Sequence, residues 1–200
     1  LNSSGLATLS VADIDNGSSD GCSISKSISK TSFNCSNFGA NNVTLTVKDN
    51  VLNKTSTCLS IVTVADNIPP TVTCKNISVN LDATGSISIT PADVFVSGSD
   101  NCGTVNLVSV SPNTFNCTNL GDNTVTLTVN DGHGNTNTCT STVTVTDNIN
   151  PTVTCKNITA YLNGSGNVTI TPADVYDSGS DNCGTVNLVS VSPNTFNCTN

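Results

Sequence analysis

Residues 123–147 read NTVTLTVNDGHGNTNTCTSTVTVTD, and this stretch decides the fold. Valine and leucine alternate with threonine from Thr124 to Val129, and the same alternation returns from Thr142 to Thr146. A period of two places the apolar side chains on one face of a strand and the threonines on the other. The segment between the two runs, Asp131–Asn135, is rich in the glycine and asparagine that form turns. The stretch therefore predicts a β-hairpin with one solvated face.

The composition of the whole chain favours strands and turns over helices. All 14 acidic residues are Asp, all 6 basic residues are Lys, and Glu, Gln, Arg, Met and Trp are absent. Several of the best helix formers are therefore missing, whereas β-branched Thr and Val and turn-forming Asn, Asp, Ser and Gly are abundant. We expect the rest of the chain to resemble the hairpin.

The chain also repeats itself at a period of 81 residues. Pro70–Ile77 recurs as Pro151–Ile158, and residues 97–119 recur unchanged as residues 178–200. The beginning of the chain is a more diverged copy of the same pattern. Three copies are predicted: a partial one without its first strand at 1–68, a complete one at 69–149, and a partial one without its last strands at 150–200. We expect the chain to be a window from a longer array.

Within the complete copy, the alternating runs predict six strands and one helical turn. The strands are expected near 71–80, 86–90, 104–110, 114–118, 123–130 and 137–147. The helical turn is expected at Pro91–Val94. Six or seven short strands in a copy of this length is the size of an immunoglobulin-like sandwich. We therefore predict an all-β fold of tandem immunoglobulin-like β-sandwich repeats, stabilised by disulfides because an aromatic content of 4% leaves each core small.

Charge and cysteine content indicate where such a chain works. A net charge of −8 without a basic cluster argues against nucleic acid as a partner. No apolar run approaches the length of a membrane span, so we expect no membrane insertion in this segment. The 10 regularly spaced cysteines indicate an oxidising, extracellular location at the cell surface. A zinc module is disfavoured because no CxxC pair occurs and His133 is the one histidine.

The complete copy has four cysteines, which allow three pairings. If the chain enters and leaves a copy at opposite poles, Cys139 returns along its strand to lie beside Cys74. Cys102 is then left to pair with Cys117 across a hairpin-sized gap. The predicted disulfides are Cys22–Cys35, Cys74–Cys139, Cys102–Cys117 and Cys183–Cys198, with Cys58 and Cys155 pairing outside the chain. The alternative is a link between Cys58 and Cys74 across the boundary between two copies.

The order of motifs resembles the HYR (hyalin repeat) family of immunoglobulin-like extracellular modules. The matching elements include Pro70–Cys74, Asp100-Asn101, Val125–Asp131, Gly134-Asn135 and Cys139. Lys75 stands where the family usually has proline, and Cys102 and Cys117 are an additional pair. This four-cysteine variant resembles repeats in very large surface adhesins of gliding, flavobacteria-like bacteria. The resemblance implies roles in adhesion and in presentation at the cell surface.

Aspartates cluster after the second strand of each copy and at the boundaries between copies. The candidate ligands are Asp13, Asp15, Asp20, Asp66, Asp93, Asp100, Asp147, Asp174, Asp177 and Asp181. Hard carboxylate oxygens near a boundary between copies are able to hold Ca²⁺ and stiffen an array. The alternative is that these residues form turns and keep the chain soluble. No stretch matches an EF-hand loop.

These features favour a structural protein over an enzyme. Catalysis is not expected, because a nucleophile needs an activating base and His133 stands alone in a turn. The leading hypothesis is a stalk or fibre repeat of a large adhesin that contacts neighbouring repeats of the same chain and presents an adhesive tip.

Two alternatives remain at this point. In the first alternative, the repeats themselves are multivalent modules that bind extracellular polysaccharide or a solid surface. The low aromatic content argues against this, since Tyr161 and Tyr176 are the only tyrosines. Alternatively, the repeats are an accessory domain of a secreted hydrolase, which requires a catalytic domain elsewhere in the parent protein.

Overall fold

The structure is a computed structural model, and it describes residues 1–199. The first copy contains β1 (Leu6–Thr8), β2 (Ile24–Ile28), β3 (Ser32–Asn34), β4 (Gly39–Asp49) and β5 (Thr55–Val64). The second copy contains β6 (Thr71–Cys74), β7 (Ile77–Asn80), β8 (Ser86–Ser88), β9 (Phe95–Ser99), β10 (Asn106–Ser111), β11 (Thr114–Asn116), β12 (Gly121–Asn130) and β13 (Thr136–Thr146). The third copy contains β14 (Thr152–Cys155), β15 (Asn167–Thr169), β16 (Tyr176–Ser180) and β17 (Thr195–Asn197). The α-helices are single turns: α1 (Val11–Ile14), α2 (Pro91–Val94) and α3 (Pro172–Val175).

The predicted hairpin is confirmed. Strands β12 and β13 are neighbours in a four-stranded sheet of order β10-β12-β13-β7. Val125, Leu127 and Val129 are fully buried, while the threonines between them are half-buried. The turn is fixed by Asp131, whose Oδ1 accepts hydrogen bonds from the backbone N–H groups of His133 (2.7 Å) and Asn135 (3.0 Å). An aspartate that binds backbone amides just ahead of it is a common way to build such a turn.

The predicted helical turn is also confirmed, and its sequence explains it. Pro91 stands in the first turn of α2, where its missing N–H costs nothing. Asp93 accepts hydrogen bonds from the backbone N–H (2.6 Å) and the hydroxyl (2.7 Å) of Thr90, which closes the N-terminus of the helix. The same arrangement starts α3, where Asp174 binds Thr171.

One strand prediction in the second copy was wrong, and one strand was not predicted. The strand predicted at 71–80 is two strands, because β6 pairs antiparallel with β9 whereas β7 pairs parallel with β13. The backbone changes partner at Lys75, whose N–H donates to the carbonyl of Val94 (2.9 Å). Strand β9 was missed, since its sequence FVSGS has little alternation and contains a glycine.

The first copy builds its core from strands and its helical turn. Strands β2, β4 and β5 form an antiparallel sheet, and β1 pairs with β3. Phe33, Val43 and Val64 are buried together at its centre, and Leu9 and Ile28 are among the half-buried residues that pack around them. The cores are therefore small and aliphatic, with a single phenylalanine in this one, as the composition predicts.

Contact density divides the chain into two compact units. The first consists of Leu1–Lys75, Thr90–Ser111 and Thr126–Ser141. The second consists of Asn76–Ile89, Pro112–Val125 and the chain from Thr142 onward. The first unit combines the first copy with part of the second, and the second unit combines the remainder of the second copy with the third. The boundaries of the copies at 68/69 and 149/150 remain predictions. The all-β, immunoglobulin-type and disulfide-bonded fold class is confirmed.

Candidate functional site at the boundaries between copies

Three disulfides are formed within residues 1–199, and two of them join cysteines that the 81-residue period assigns to different copies. Cys35 is bonded to Cys102 and Cys117 to Cys183, each with the Cα atoms 5.3 Å apart. Cys74 is bonded to Cys139, with the Cα atoms 5.9 Å apart, inside the second copy. The first two bonds therefore tie each pair of successive copies, and each lies within one compact unit. We call them the junction disulfides.

The predicted pairs Cys22–Cys35, Cys102–Cys117 and Cys183–Cys198 are wrong in the structure. The prediction joined Cys102 to Cys117 across a hairpin-sized gap, but β10 pairs with β12 and β11 pairs with β8, so β10 and β11 are not paired with each other. In each predicted pair at least one cysteine is bonded to a cysteine of another copy instead. Cys22, Cys58, Cys155 and Cys198 are unbonded and exposed, so the alternative Cys58–Cys74 link is not formed either.

Each junction disulfide is seated against a glycine. Gly85 has φ +73°, and a Cβ atom there would lie 2.8 Å from Cys117 Sγ and 2.7 Å from the carbonyl oxygen of Asn182. Gly5 repeats this arrangement against Cys35 and Asn101, at 2.7 Å from each atom. A residue without a side chain is therefore needed for both the backbone conformation and the close approach.

A polar cluster lies beside the first junction disulfide, and we call it the first cluster. It consists of Asp66, Asp100, Asn101, Asp131 and His133. Four of its ligand atoms, one each from the three aspartates and His133, lie within 4.8 Å of one another. Asp66 and Asp131 are each only 3% exposed. The chain thus gathers three carboxylates and an imidazole in a largely buried place, where charges are costly unless they are compensated.

Four side chains of the first cluster each have a bare polar atom, whereas both oxygens of Asp131 accept hydrogen bonds. Asp66 Oδ1 accepts from Asn101 Nδ2 (3.0 Å), and Asp100 Oδ2 accepts from the backbone N–H of Cys102 (2.8 Å). The other atoms, Asp66 Oδ2, Asp100 Oδ1, Asn101 Oδ1 and His133 Nδ1, are buried without a hydrogen-bond partner. Buried polar atoms are nearly always satisfied in proteins, so four together call for an explanation.

Asp131 and His133 join the cluster through the hairpin turn. Burial raises the pKa of Asp131, but hydrogen bonds from the Asn135 side chain and from the His133 and Asn135 backbone outweigh it, so this pKa lies below its ordinary value. The carboxylate is therefore held in its charged form. Asn135 Nδ2 also donates to the backbone carbonyl of Asp66 (3.1 Å), and the Phe38 ring packs on His133 with the ring centroids 4.6 Å apart.

The second boundary shares part of this arrangement in the residues that occupy the positions of Asp66, Asp100 and Asn101. This second cluster consists of Asp147, Asp181 and Asn182. Asn182 Nδ2 donates to Asp147 Oδ1 (3.0 Å), and the backbone N–H of Cys183 donates to Asp181 Oδ2 (3.3 Å). Asp181 Oδ1 and Asn182 Oδ1 are again buried without a partner. The bare oxygens are therefore a recurring feature of the boundary.

The other predicted calcium ligands do not join either cluster. Asp13, Asp93 and Asp174 each close the N-terminus of a helical turn, and backbone hydrogen bonds from Ser10, Thr90 and Thr171 lower their pKa values. Asp15 forms an ion pair with Lys26, which lowers the pKa of its carboxyl well below the ordinary range.

The two remaining candidates are exposed. Asp20 accepts a hydrogen bond from the N–H of Gly21 (2.7 Å), and Asp177 lies on β16 with Thr154 Oγ1 3.5 Å away. Of the ten predicted ligands, only Asp66, Asp100, Asp147 and Asp181 lie at the boundaries.

Sequence reasoning missed Asn101, Asp131 and His133 as members of the first cluster. The first follows Asp100 directly, and the other two had been assigned only to a turn. The sequence did contain a signal for the position of this turn. The strand that follows Asp131 runs to the second boundary, so the turn lies at the opposite end of the copy, near the first boundary. The sequence alone could not show that this turn folds back to Asp66.

Comparison with known proteins gives a family resemblance for part of the chain. The family model of the HYR domain matches residues 65–145. No curated protein matches the chain. Among solved structures, the chain is similar to the extracellular cadherin domains 1–5 of Protocadherin Gamma B2, with 12% identity and a TM-score of 0.32, over 92% of this chain and 44% of that one. The chain thus spans less than half of that structure, and the similarity is too low to carry an argument.

The HYR match supports an immunoglobulin-like, extracellular module of the adhesion type at residues 65–145. Such modules are typically not enzymes. None of the helices in residues 1–199 is long and apolar enough to cross a membrane.

Proposed function

We propose that the chain is part of the stalk of a large cell-surface adhesin, in which disulfides between successive copies hold each copy in a fixed orientation to the next. The observation that supports this most is the pair of junction disulfides, Cys35–Cys102 and Cys117–Cys183. A bond that brings two Cα atoms within 5.3 Å removes most of the freedom that a linker would otherwise allow. A spacer that presents an adhesive tip needs this kind of stiffness, and its length scales with the number of copies.

Two of the four unbonded cysteines fit the same scheme. Cys22 occupies the position of Cys102 and Cys183, and Cys198 occupies the position of Cys35 and Cys117. In a longer array we propose that both form further junction disulfides with the copies before and after. Every internal copy would then be tied to both neighbours, and a pulling force would pass from copy to copy through covalent bonds. A role in surface attachment or gliding motility would use this property.

Small-angle X-ray scattering of the oxidised chain tests the proposal. Replacing both Cys35 and Cys102 by Ala should broaden the distribution of interatomic distances, because one boundary becomes free to bend. The matched control replaces Cys74 and Cys139 by Ala inside the second copy, which should lower the melting temperature, at a cost of about 2–5 kcal/mol, without making a boundary flexible. An unchanged distance distribution in the Cys35/Cys102 variant would contradict the proposal.

A rival role is direct binding of polysaccharide or a solid surface by the copies themselves. A pull-down with immobilised polysaccharide separates the two roles, because a spacer without a tip domain should not be retained. Retention that grows with the number of copies would favour the rival, since weak sites in series give avidity.

A further inference from the structure

We propose that the first cluster is a Ca²⁺ site that binds across the boundary between the first two copies. Asp66, which comes from the end of the first copy, is 3% exposed, and its Oδ2 has no hydrogen-bond partner. Asp100 Oδ1 and Asn101 Oδ1, both from the second copy, are bare in the same way. A buried carboxylate oxygen without a partner is unfavourable, and a bound cation removes that penalty.

The geometry of the cluster fits a calcium ion. Ca²⁺ takes six to eight oxygen ligands at about 2.3–2.6 Å, so ligands on opposite sides of one ion lie up to about 5 Å apart. The ligand atoms of Asp66, Asp100, Asp131 and His133 all lie within 4.8 Å of one another. The Asp66 and Asp100 side chains are already held by their second oxygens through hydrogen bonds from Asn101 and Cys102, which orients the bare oxygens before an ion arrives.

The charge of the cluster also favours a bound cation. Three carboxylates contribute a formal charge of about −3 in a place shielded from water, where like charges repel strongly. Within residues 1–199 the one ion pair between Lys and Asp is Lys26–Asp15, so no lysine compensates the cluster. His133 adds a nitrogen, Nδ1, that is buried without a hydrogen-bond partner.

Calcium is favoured over a transition metal because the recurring ligands are oxygens. The second cluster presents two bare oxygens, Asp181 Oδ1 and Asn182 Oδ1, at the equivalent positions. In the first copy, the turn equivalent to Asp131–Asn135 retains an aspartate, Asp49, but has Val51 in place of His133. Of these two turns only one carries a nitrogen ligand, while bare oxygens occur at both boundaries.

Ca²⁺ titration of the metal-free, oxidised chain by calorimetry, together with its melting temperature in Ca²⁺ and in EDTA, tests the site. Binding should be accompanied by a rise in melting temperature. Asp66→Asn is the decisive variant: it keeps an acceptor for Asn101 and the shape of the side chain but removes the charge. It should weaken Ca²⁺ binding at this site at least about ten-fold, and it should raise the melting temperature in EDTA because repulsion is relieved.

Asp20→Asn is the matched control, since Asp20 is exposed and lies outside both clusters; it should change neither value. A second variant, His133→Val, copies the turn of the first copy and should weaken Mn²⁺ and Zn²⁺ binding more than Ca²⁺ binding. No heat of binding and equal melting temperatures in Ca²⁺ and EDTA would overturn the proposal. Binding of Zn²⁺ without binding of Ca²⁺ would overturn the choice of ion. Disulfide formation does not depend on these results, and scattering recorded in EDTA tests the proposed stalk separately.

Discussion

At the scale of single residues, the boundaries between copies depend on close contacts and on carboxylate oxygens held in fixed positions. Gly85 adopts φ +73° and leaves less than 3 Å for any Cβ beside Cys117 and Asn182. Asp66 is anchored by one oxygen and leaves the other bare. Both residues are small, and neither belongs to a strand. The role of each is determined by a residue of the neighbouring copy: Asn182 lies against Gly85, and Asn101 donates a hydrogen bond to Asp66.

Gly85→Ala tests the close approach. The left-handed conformation costs a residue with a Cβ about 1–2 kcal/mol, and the contact with Cys117 and Asn182 adds to that cost. We expect a lower melting temperature and new reactive thiols from the Cys117–Cys183 pair, measured with a thiol reagent. Gly121→Ala is the control, because Gly121 also has positive φ (+97°) but nothing lies within 4 Å of its Cβ position. Equal thiol exposure in both variants would show that the close approach is unimportant.

At the scale of elements, the alternation of apolar residues and threonine determines the sheets. Leu127 on β12 is fully buried between Val125 and Val129, as the period of two requires. Val108 on β10 is 51% exposed although it is equally apolar, because β10 shifts register between Leu107 and Ser109. The pattern thus predicts burial well where a strand is regular and less well at an irregularity.

Leu127→Ala should lower the free energy of unfolding by about 2–5 kcal/mol, because a small aliphatic core cannot refill the cavity. Val108→Ala is the matched control and should lower the free energy of unfolding by well under half as much, since the Val108 side chain is 51% exposed to solvent in the folded chain. Chemical denaturation of the oxidised chain measures both. A similar loss for the two variants would mean that Val108 is covered in solution.

The sequence predicted the hairpin, the helical turn at Pro91–Val94 and the fold class, because each depends on local periodicity or capping. It did not predict β9, whose residues form a strand only because β6 lies beside them. Nor did it predict the junction disulfides or the place of His133. Those depend on which strands are neighbours and on how one copy meets the next, and neither is recorded in the spacing of residues along the chain.

At the scale of the whole molecule, the two compact units are each built around a boundary between copies. The first unit contains Cys35–Cys102 and the first cluster, and the second contains Cys117–Cys183 and the second cluster. Each unit thus combines residues of two copies, a covalent tie and a set of bare oxygens. Contacts across the boundaries are therefore as much a part of the fold as contacts within a copy.

Peptide mapping of the oxidised chain by mass spectrometry, under non-reducing and thiol-blocked conditions, tests this account most directly. We predict cross-linked peptides that join Cys35 to Cys102 and Cys117 to Cys183, together with the Cys74–Cys139 peptide inside the second copy. A dominant peptide joining Cys102 to Cys117 would contradict the account, because each copy would then be closed on itself and nothing covalent would fix its orientation to the next.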